Sequence, residues 1–151
     1  MTTTLHTERI TTRAGIQAML HLAIAFHRDH PIPRPLDPDH WVDVWTGLVE
    51  NGHAHVCVLV GPDGSYVGCI GILMHTDLSS GELGAQEAFW FVLPFAVGAM
   101  DLLHWAEDKA RSEGATTLTV SALYNESGER LARVYRRLGY EAAEVSYQKE
   151  L

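Results

Sequence analysis

The sequence has few cysteines and no long apolar run, and both absences exclude classes of protein. Cys57 and Cys69 are its two cysteines. They are too few for a disulfide framework and lie in apolar, strand-like runs, so we expect two reduced thiols in the core. No stretch approaches the ~20 apolar residues that cross a bilayer, so we expect no membrane protein. The first residues lack a basic region followed by an apolar run, which predicts a cytoplasmic protein without a secretory signal.

Basic residues are also few. The chain has 11 Lys and Arg against 19 Asp and Glu, a formal net charge of −8. Binding of nucleic acid needs Lys and Arg to replace the counterions of the phosphates, so this balance argues against a nucleic-acid partner. A cationic partner such as an amine suits it, although solubility explains an acidic surface equally well. The histidines include the close pairs His27/His30 and His53/His55, but no Cys, Asp or Glu set completes a tetrahedron, so we expect no metal.

Apolar periodicity and turn residues predict a single domain over residues 1–151, with the element order β-α-α-β-β-β-α-β-α-β. The predicted strands cover residues 9–12, 55–60, 66–74, 87–93, 116–122 and 140–151. The predicted helices cover residues 15–28, the stretch from a cap at Asp39 to Asn51, and residues 102–113 and 127–138. The proline-rich residues 30–38 and the polar, glycine-rich residues 75–85 are expected to form loops.

The second half of the chain carries the more specific pattern. The stretch FWFVLP ends a strand at Pro94, LLHWAEDKARSEGATTLTVSA follows as a helix and a strand, and RLARVYRRLGYEAAEVSYQKEL closes the chain. Earlier, PDGSYVGCIGI has an acidic-glycine turn leading into a strand. This order resembles the GNAT superfamily of acyl-CoA-dependent N-acyltransferases. The resemblance implies an α/β (α+β) GNAT fold, in which helices flank a mixed central sheet.

The resemblance also implies acetyl-CoA as co-substrate. In the family, the pantetheine arm pairs with an open strand edge like an added strand, and the matching residues here are Phe91, Val92 and Leu93. The pyrophosphate binds main-chain N–H groups of the following loop and the helix N-terminus, which match Val97, Gly98, Ala99 and Met100. An Asn after the next strand often bonds the cofactor arm, and Asn125 is the candidate, with a turn or helix cap as the alternative.

The pyrophosphate loop departs from the family pattern. Members usually carry Arg/Gln-x-x-Gly-x-Gly/Ala, whereas residues 95–101 have a single glycine and no Arg or Lys. Asp101 is badly placed beside a pyrophosphate because like charges repel. Arginines of the last predicted helix could meet the phosphates or an acidic partner instead. They are Arg130, Arg133, Arg136 and Arg137.

Transfer of an acetyl group to an amine needs a base and an acid. An alkyl amine of pKa near 10.4 is neutral only about once in 2,500 at pH 7, so a base must remove its proton, and the leaving thiolate benefits from an acid. By resemblance, Tyr135 is the candidate acid and Glu87 the candidate base. Strand alternation puts Glu87 on one face with Phe89 and Phe91. Weaker candidate bases precede this strand: His75, Asp77 and Glu82.

Two functions of different classes follow. The first is an N-acyltransferase that moves an acetyl group from acetyl-CoA to a primary amine of a small molecule or a protein, with Trp41 and Trp45 as walls of a substrate pocket or as core residues. The second is a non-catalytic GNAT-fold binding or assembly protein. Loop amides that face an open cleft favour the enzyme, whereas Phe95 or Met100 filling that cleft favours the second function. A homodimer is possible in either case.

Overall fold

The computed structural model describes residues 5–29 and 34–151. The chain forms two compact units, Met1–Val120 and Ser121–Leu151. The first four residues of the predicted proline-rich loop, His30 to Pro33, lie outside the described residues. Among the residues that are described, no helix is both long and apolar enough to span a membrane.

A five-stranded mixed sheet is the framework of the first unit. Its strands are β1 (His6–Ile10), β2 (Ala54–Val60), β3 (Tyr66–Thr76), β4 (Leu83–Val92) and β5 (Thr117–Thr119), in that spatial order. The first four pair antiparallel, and β4 pairs parallel with β5. A parallel pair needs a long crossover, which is the helix α4 (Ala99–Ser112).

The two faces of the sheet carry different helices. The helices α1 (Arg13–Ala18), α2 (Leu20–Arg28) and α3 (Pro38–Glu50) cover one face, where their apolar residues form a buried cluster with alternate strand residues such as Val58 and Phe89. The helix α4 covers the opposite face, where Cδ1 of Leu102 lies 3.4 Å from the position of a Cβ on Gly68. Because successive strand residues point to opposite faces, the near-continuous apolar run of β2 serves both layers.

The second unit contains the helix α5 (Glu126–Arg137), which begins at the cap residue Asn125. The following residues 138–151 form neither helix nor strand. The final strand predicted over residues 140–151 is therefore not found in this fully described segment, and the strand predicted over 116–122 shortens to Thr117–Thr119. A strand exists only through pairing with a neighbour, and local residue preference does not specify that pairing.

The predicted fold class is confirmed, with shifted element boundaries. The single helix predicted over 15–28 divides at the buried Met19, so that α1 packs on α3 while α2 packs on the sheet. The loop predicted over 75–85 shortens to residues 77–82, since β3 runs to Thr76 and β4 starts at Leu83. Asp37, not Asp39, caps α3, because Pro38 takes the first helical position, where its missing N–H costs nothing.

We expect Gly71→Ala to lower the free energy of unfolding by about 1–3 kcal/mol, the usual cost of overpacking a core. A Cβ on Gly71 would lie 2.5 Å from Cζ and 2.6 Å from Cε1 of Phe89, whose ring covers this glycine. Urea unfolding measures the change. Gly47→Ala in α3 is the control, because an added Cβ there has no atom within 4 Å and alanine favours a helix by up to about 1 kcal/mol. Equal effects of the two variants would contradict this packing.

His55 makes stability depend on pH. Its side chain is 3% exposed, and neither ring nitrogen forms a hydrogen bond within the described part of the chain. Burial lowers its pKa from the ordinary 6.5, although the Glu113 carboxylate, 3.8 Å away, opposes the shift. The unfolded chain therefore takes up this proton first as the pH falls.

The stability that neutral His55 contributes is thus complete above about pH 6.5 and is lost as the pH falls from there to the lower folded pKa. We expect the free energy of unfolding, measured in urea between pH 5 and pH 8, to decline towards acid, and His55→Leu to reduce that slope. His53→Leu, at an exposed position outside the strand, should keep it. The measured quantity is the change in the free energy of unfolding with pH. A loss of stability that is equal at every pH therefore does not affect the comparison. An unchanged slope in His55→Leu counts against the shift.

Candidate active site

The strand β4 contains a bulge at the point where it parts from β5. Ile72 of β3 pairs with Glu87 and Gly71 pairs with Phe89, which leaves Ala88 as one extra residue in β4. A bulge bends its strand and increases the local twist. The parallel pairing with β5 ends at Gln86, so Glu87 is the first residue beyond it. The edge of β4 from Glu87 to Val92 is therefore not covered by β5.

The direction of the main chain along this edge follows from one hydrogen bond. The Leu93 N–H donates to the Val67 carbonyl of β3 at 2.9 Å. In an antiparallel pair, alternate residues direct their N–H and C=O groups to the partner strand and the residues between direct them away. The main-chain groups of Phe91 and Leu93 therefore face β3, and those of Val92 face the edge with which β5 does not pair. Of the three residues predicted to pair with a cofactor arm, Val92 is in the right orientation. Trp90, which sequence reasoning missed, shares that orientation.

The loop after β4 presents main-chain donors at the start of α4. The N–H groups of residues 97–100 have no hydrogen-bond acceptor in the part of the chain that the structure describes. Gly98 is the cap residue, with a φ of 119° that favours glycine. Phe95 and Val97 are 76% and 78% exposed, so the Phe95 side chain does not fill a cleft. A helix N-terminus with several such donors suits an anion.

Asp101 opposes the binding of an anion at the N-terminus of α4. It lies in the first turn of α4, and its Oδ2 lies 3.5 Å from the position of a Cβ on Gly98. A carboxylate in this place interacts favourably with the positive end of the helix and repels a second anion there. The predicted conflict between Asp101 and a pyrophosphate is thus present in the geometry.

Glu87 is half-buried and lies at the fork between β4 and β5. The predicted grouping of Glu87 with Phe89 and Phe91 on one face is wrong, because the bulge breaks the alternation. The register pairs Glu87 with Ile72 and Phe89 with Gly71, and these neighbours of β3 point to opposite faces. Phe89 packs in the cluster beneath α1, α2 and α3, so Glu87 belongs to the face that α4 covers.

The weaker candidate bases lie around the exposed turn between β3 and β4. The Asp77 carboxylate accepts hydrogen bonds from the N–H groups of Ser79 and Ser80 at 2.9 and 2.7 Å. These bonds lower its pKa, because they stabilise the charged form. Asp77 is thus a turn-forming residue and a poor base at neutral pH. His75 lies at the end of β3 against Gly84, and Glu82 is exposed in the turn.

Tyr135 belongs to the second unit and is 7% exposed. Its hydroxyl donates to the Ser121 carbonyl at 2.9 Å, and its ring centroid lies 5.5 Å from that of Tyr140. The phenol is therefore held in one position with its proton directed at a main-chain oxygen. The arginines predicted as an alternative phosphate site are all exposed: Arg130, Arg133, Arg136 and Arg137.

Asn125 caps α5 in the same unit. Its Oδ1 accepts a hydrogen bond from the Gly128 N–H at 2.9 Å, the usual arrangement for an N-cap asparagine. The structure thus contains the helix-cap alternative for this residue, while a bond to a cofactor arm stays a prediction.

A cavity of about 130 Å³ opens beside the bulge, within the first unit. Its walls are mainly apolar and aromatic, and they include Ala23, Phe26, Trp41, Trp45, Ala88 and Phe89. The ring centroids of Trp45 and Phe89 are 4.8 Å apart, and those of Trp41 and Phe89 are 6.1 Å apart. Trp41 and Trp45 do wall a pocket, as one of the two predictions for them had it. Phe26 and Phe89 also line it, and sequence reasoning assigned neither of them to a pocket.

The two cysteines are free and buried, which confirms the expected core thiols. Burial raises the pKa of Cys57 to about 12 and raises that of Cys69 further still. A thiol acts as a nucleophile only as thiolate, so neither is a candidate nucleophile. Within the ranges 5–29 and 34–151, no three His, Cys, Asp or Glu side chains are grouped as metal ligands.

No protein-family model matches the sequence, and a search of the curated proteins gives no match. Solved structures do match. An acetyltransferase of Trypanosoma brucei superposes with a TM-score of 0.74 at 17% identity, covering 98% of this chain and 100% of that chain. The ribosomal-protein-alanine N-acetyltransferase of Brucella melitensis gives 0.73 at 18% identity, covering 98% and 99%. AAC(6′)-Iy, in complex with the bisubstrate analogue CoA-S-monomethyl-acetylneamine, gives 0.74 at 16% identity, covering 98% and 99%. This chain therefore has the GNAT fold, the fold of these acetyltransferases.

The two functions of Asn125 can be separated by Asn125→Ser and Asn125→Ala. Serine caps a helix about as well as asparagine, whereas alanine costs about 0.5–2 kcal/mol. We expect Asn125→Ala to lower the free energy of unfolding by that amount and Asn125→Ser to leave it nearly unchanged. Titration calorimetry with acetyl-CoA on the same proteins gives the second readout. If Asn125→Ser keeps its stability but loses affinity for acetyl-CoA, the residue bonds the cofactor arm as well.

Proposed function

We propose that this protein is an N-acyltransferase that moves an acetyl group from acetyl-CoA to a primary amine. The observation that carries the proposal is the edge of β4 beyond the bulge at Ala88, with which β5 does not pair, together with the donor N–H groups of residues 97–100. One element of the site can pair with an extended amide-containing arm, and the other can bind an anion attached to it. We also propose that residues 1–151 form a single domain and that the protein is cytoplasmic. A homodimer is a further proposal, which the mass of the protein in solution tests.

Acetyl-CoA supplies the activated acyl group when it is bound. The Val92 main chain would pair with the pantetheine arm, and the N–H groups of Val97, Gly98, Ala99 and Met100 would bind the pyrophosphate. Support for this class of cofactor comes from AAC(6′)-Iy, whose complex contains an analogue that includes CoA. Because Asp101 lies at the same helix end and the loop has no Arg or Lys, we expect a weaker phosphate site than a basic loop would give.

Glu87 would take the proton from the acceptor ammonium, directly or through one water, so that the neutral amine can attack. Its position at the fork between β4 and β5 supports this role. Tyr135 would give a proton to the departing thiolate. Its hydroxyl donates to the Ser121 carbonyl, so the main chain orients the phenol.

Asp101 favours a second candidate function, a GNAT-fold binding or assembly protein without productive acetyl-CoA binding. A carboxylate at the positive end of α4 can stabilise the helix in place of a bound anion. Titration calorimetry with acetyl-CoA separates the two functions. The enzyme requires binding, and an absence of both heat and thermal shift at millimolar acetyl-CoA would overturn the proposal in favour of this second candidate.

Catalysis by Glu87 has a distinct pH signature. We expect Glu87→Gln to lower kcat at pH 7 by about 10²–10⁴-fold, the usual contribution of a general base, and the loss to shrink as the pH rises towards 10, where the amine is neutral without help. Tyr135→Phe should lower kcat with little recovery at high pH, since it removes the acid. Initial rates of CoA release across pH 6–10 measure both effects. Glu82→Gln, in the exposed turn, is the control and should match the unchanged protein. A loss in Glu87→Gln that does not vary with pH would refute its role as base.

A further inference from the structure

We propose that the aromatic pocket beside the bulge binds the apolar ring of the acceptor, so that the substrates are primary amines joined to one aromatic or similar apolar ring through a short link. This inference rests on the proposed function and names the substrate class of the same site. The pocket is walled by Ala23, Phe26, Trp41, Trp45, Ala88 and Phe89.

The geometry of the rings favours an apolar occupant over a cation. A cage for an ammonium group needs aromatic faces placed around it at cation–π distance. Here the rings contact one another, with centroids 6.5 Å apart for Phe26 and Phe89 and 4.8 Å apart for Trp45 and Phe89, both edge-to-face. These edge-to-face pairs make most of the wall apolar. His27 and Leu36 complete the lining, and the buried Nε2 of His27 has no hydrogen-bond partner among the described residues. No Asp or Glu is among the described residues that line the cavity, so a charge buried in it would lack a counter-ion.

The volume limits the occupant to about one ring. The cavity measures about 130 Å³, whereas an apolar cavity of about 150 Å³ in another protein holds benzene. A phenyl group or a short branched alkyl group is therefore of matching size, whereas a bicyclic ring would extend beyond the cavity. Burying such a group contributes about 1.5–3 kcal/mol, which corresponds to roughly 10- to 150-fold in affinity at 1.4 kcal/mol for each tenfold change.

The position of the pocket assigns it to the acceptor. It lies on the face that α2 and α3 cover, because its wall residues Trp45 and Phe89 belong to that cluster. Gly98, at the start of α4, lies instead against Leu59, on the opposite face of the sheet. A donor bound at the loop amides and an acceptor ring in the pocket would approach the edge of β4 from two sides. Ala88 lines the pocket, and Glu87 precedes it in β4 with its side chain on the opposite face, so the link between ring and amine would have to pass the edge of β4 for the amine to reach the proposed base.

The test compares kcat/KM for acetyl transfer to phenethylamine, ethanolamine and tryptamine. We expect phenethylamine to exceed ethanolamine by at least about tenfold, because only phenethylamine places a ring in the pocket. Tryptamine should be poorer than phenethylamine because its bicyclic ring is too large. A tripeptide with N-terminal phenylalanine is a fourth acceptor. Its kcat/KM relative to phenethylamine shows whether the ring-bearing amine is a peptide N-terminus or a free amine. Equal kcat/KM for phenethylamine and ethanolamine would overturn the inference while leaving the proposed function intact.

Two variants that change the cavity volume in opposite directions show whether the pocket causes the preference among acceptors. Ala23→Leu adds volume to the cavity wall and should lower kcat/KM for phenethylamine until it no longer exceeds that for ethanolamine. Phe26→Ala enlarges the cavity and should raise the ratio of tryptamine to phenethylamine. Ile24→Ala is the matched control, because Ile24 lies on the same helix but is 48% exposed and does not line the pocket. If neither variant changes these ratios, the pocket does not select the acceptor.

Two further results separate this inference from the proposed function. If benzoyl-CoA is a better donor than acetyl-CoA and Ala23→Leu removes that preference, the pocket takes the acyl group, and the acceptor assignment is wrong. If acetyl-CoA binds by calorimetry but no amine is acetylated, the proposed enzyme function fails, and the inference fails with it. Thermal unfolding of each variant without ligand shows whether a change in rate reflects loss of fold.

Discussion

The bulge at Ala88 is the local feature on which the rest of the candidate site depends. One extra residue in β4 ends its regular alternation just where β5 stops pairing with it. The same extra residue turns Glu87 towards the α4 face and Phe89 towards the face of α2 and α3. An unbulged strand would keep both on one face. The edge of β4 beyond β5, the position of the proposed base and the aromatic pocket therefore all lie at this bulge.

Packing keeps the bulge in place. The Phe89 ring lies over Gly71, where no side chain fits, and it also contacts Trp41 and Trp45 of α3. A shift of the register by one residue would move Phe89 out of this contact and bring a different side chain onto Gly71. A buried aromatic ring dominates the energetics of its neighbourhood, so the register of β4 is strongly specified by this single residue.

The sequence predicts the framework because that framework depends on local signals. Asn51 and Gly52 end α3, Gly114 follows α4, and the apolar periods place the buried faces. Features that depend on distant partners are predicted poorly. The turn at residues 77–82 is shorter than its polar composition indicates, because β3 and β4 pair beyond their apolar parts. The face of Glu87 is mispredicted because a bulge depends on register with another strand. Trp41 and Trp45 are recognised as pocket candidates from their helical spacing, whereas Phe26 and Phe89 need the assembled sheet to be recognised.

The difference between main chain and side chains explains how the fold can match solved structures at 13–18% identity while the sequence matches no family model. A family model detects a match from the identities of the side chains along the sequence. The candidate cofactor cleft is built largely from main chain, namely the edge of β4 and the N–H groups at the start of α4. Main-chain donors persist through most substitutions as long as the backbone conformation does, and Gly98 with its φ of 119° supports that conformation. Replacing the usual basic and glycine residues of the loop removes the sequence signal and part of the favourable charge, but it leaves the donors. The balance between those donors and Asp101 is therefore set by electrostatics at one helix end and not by the fold.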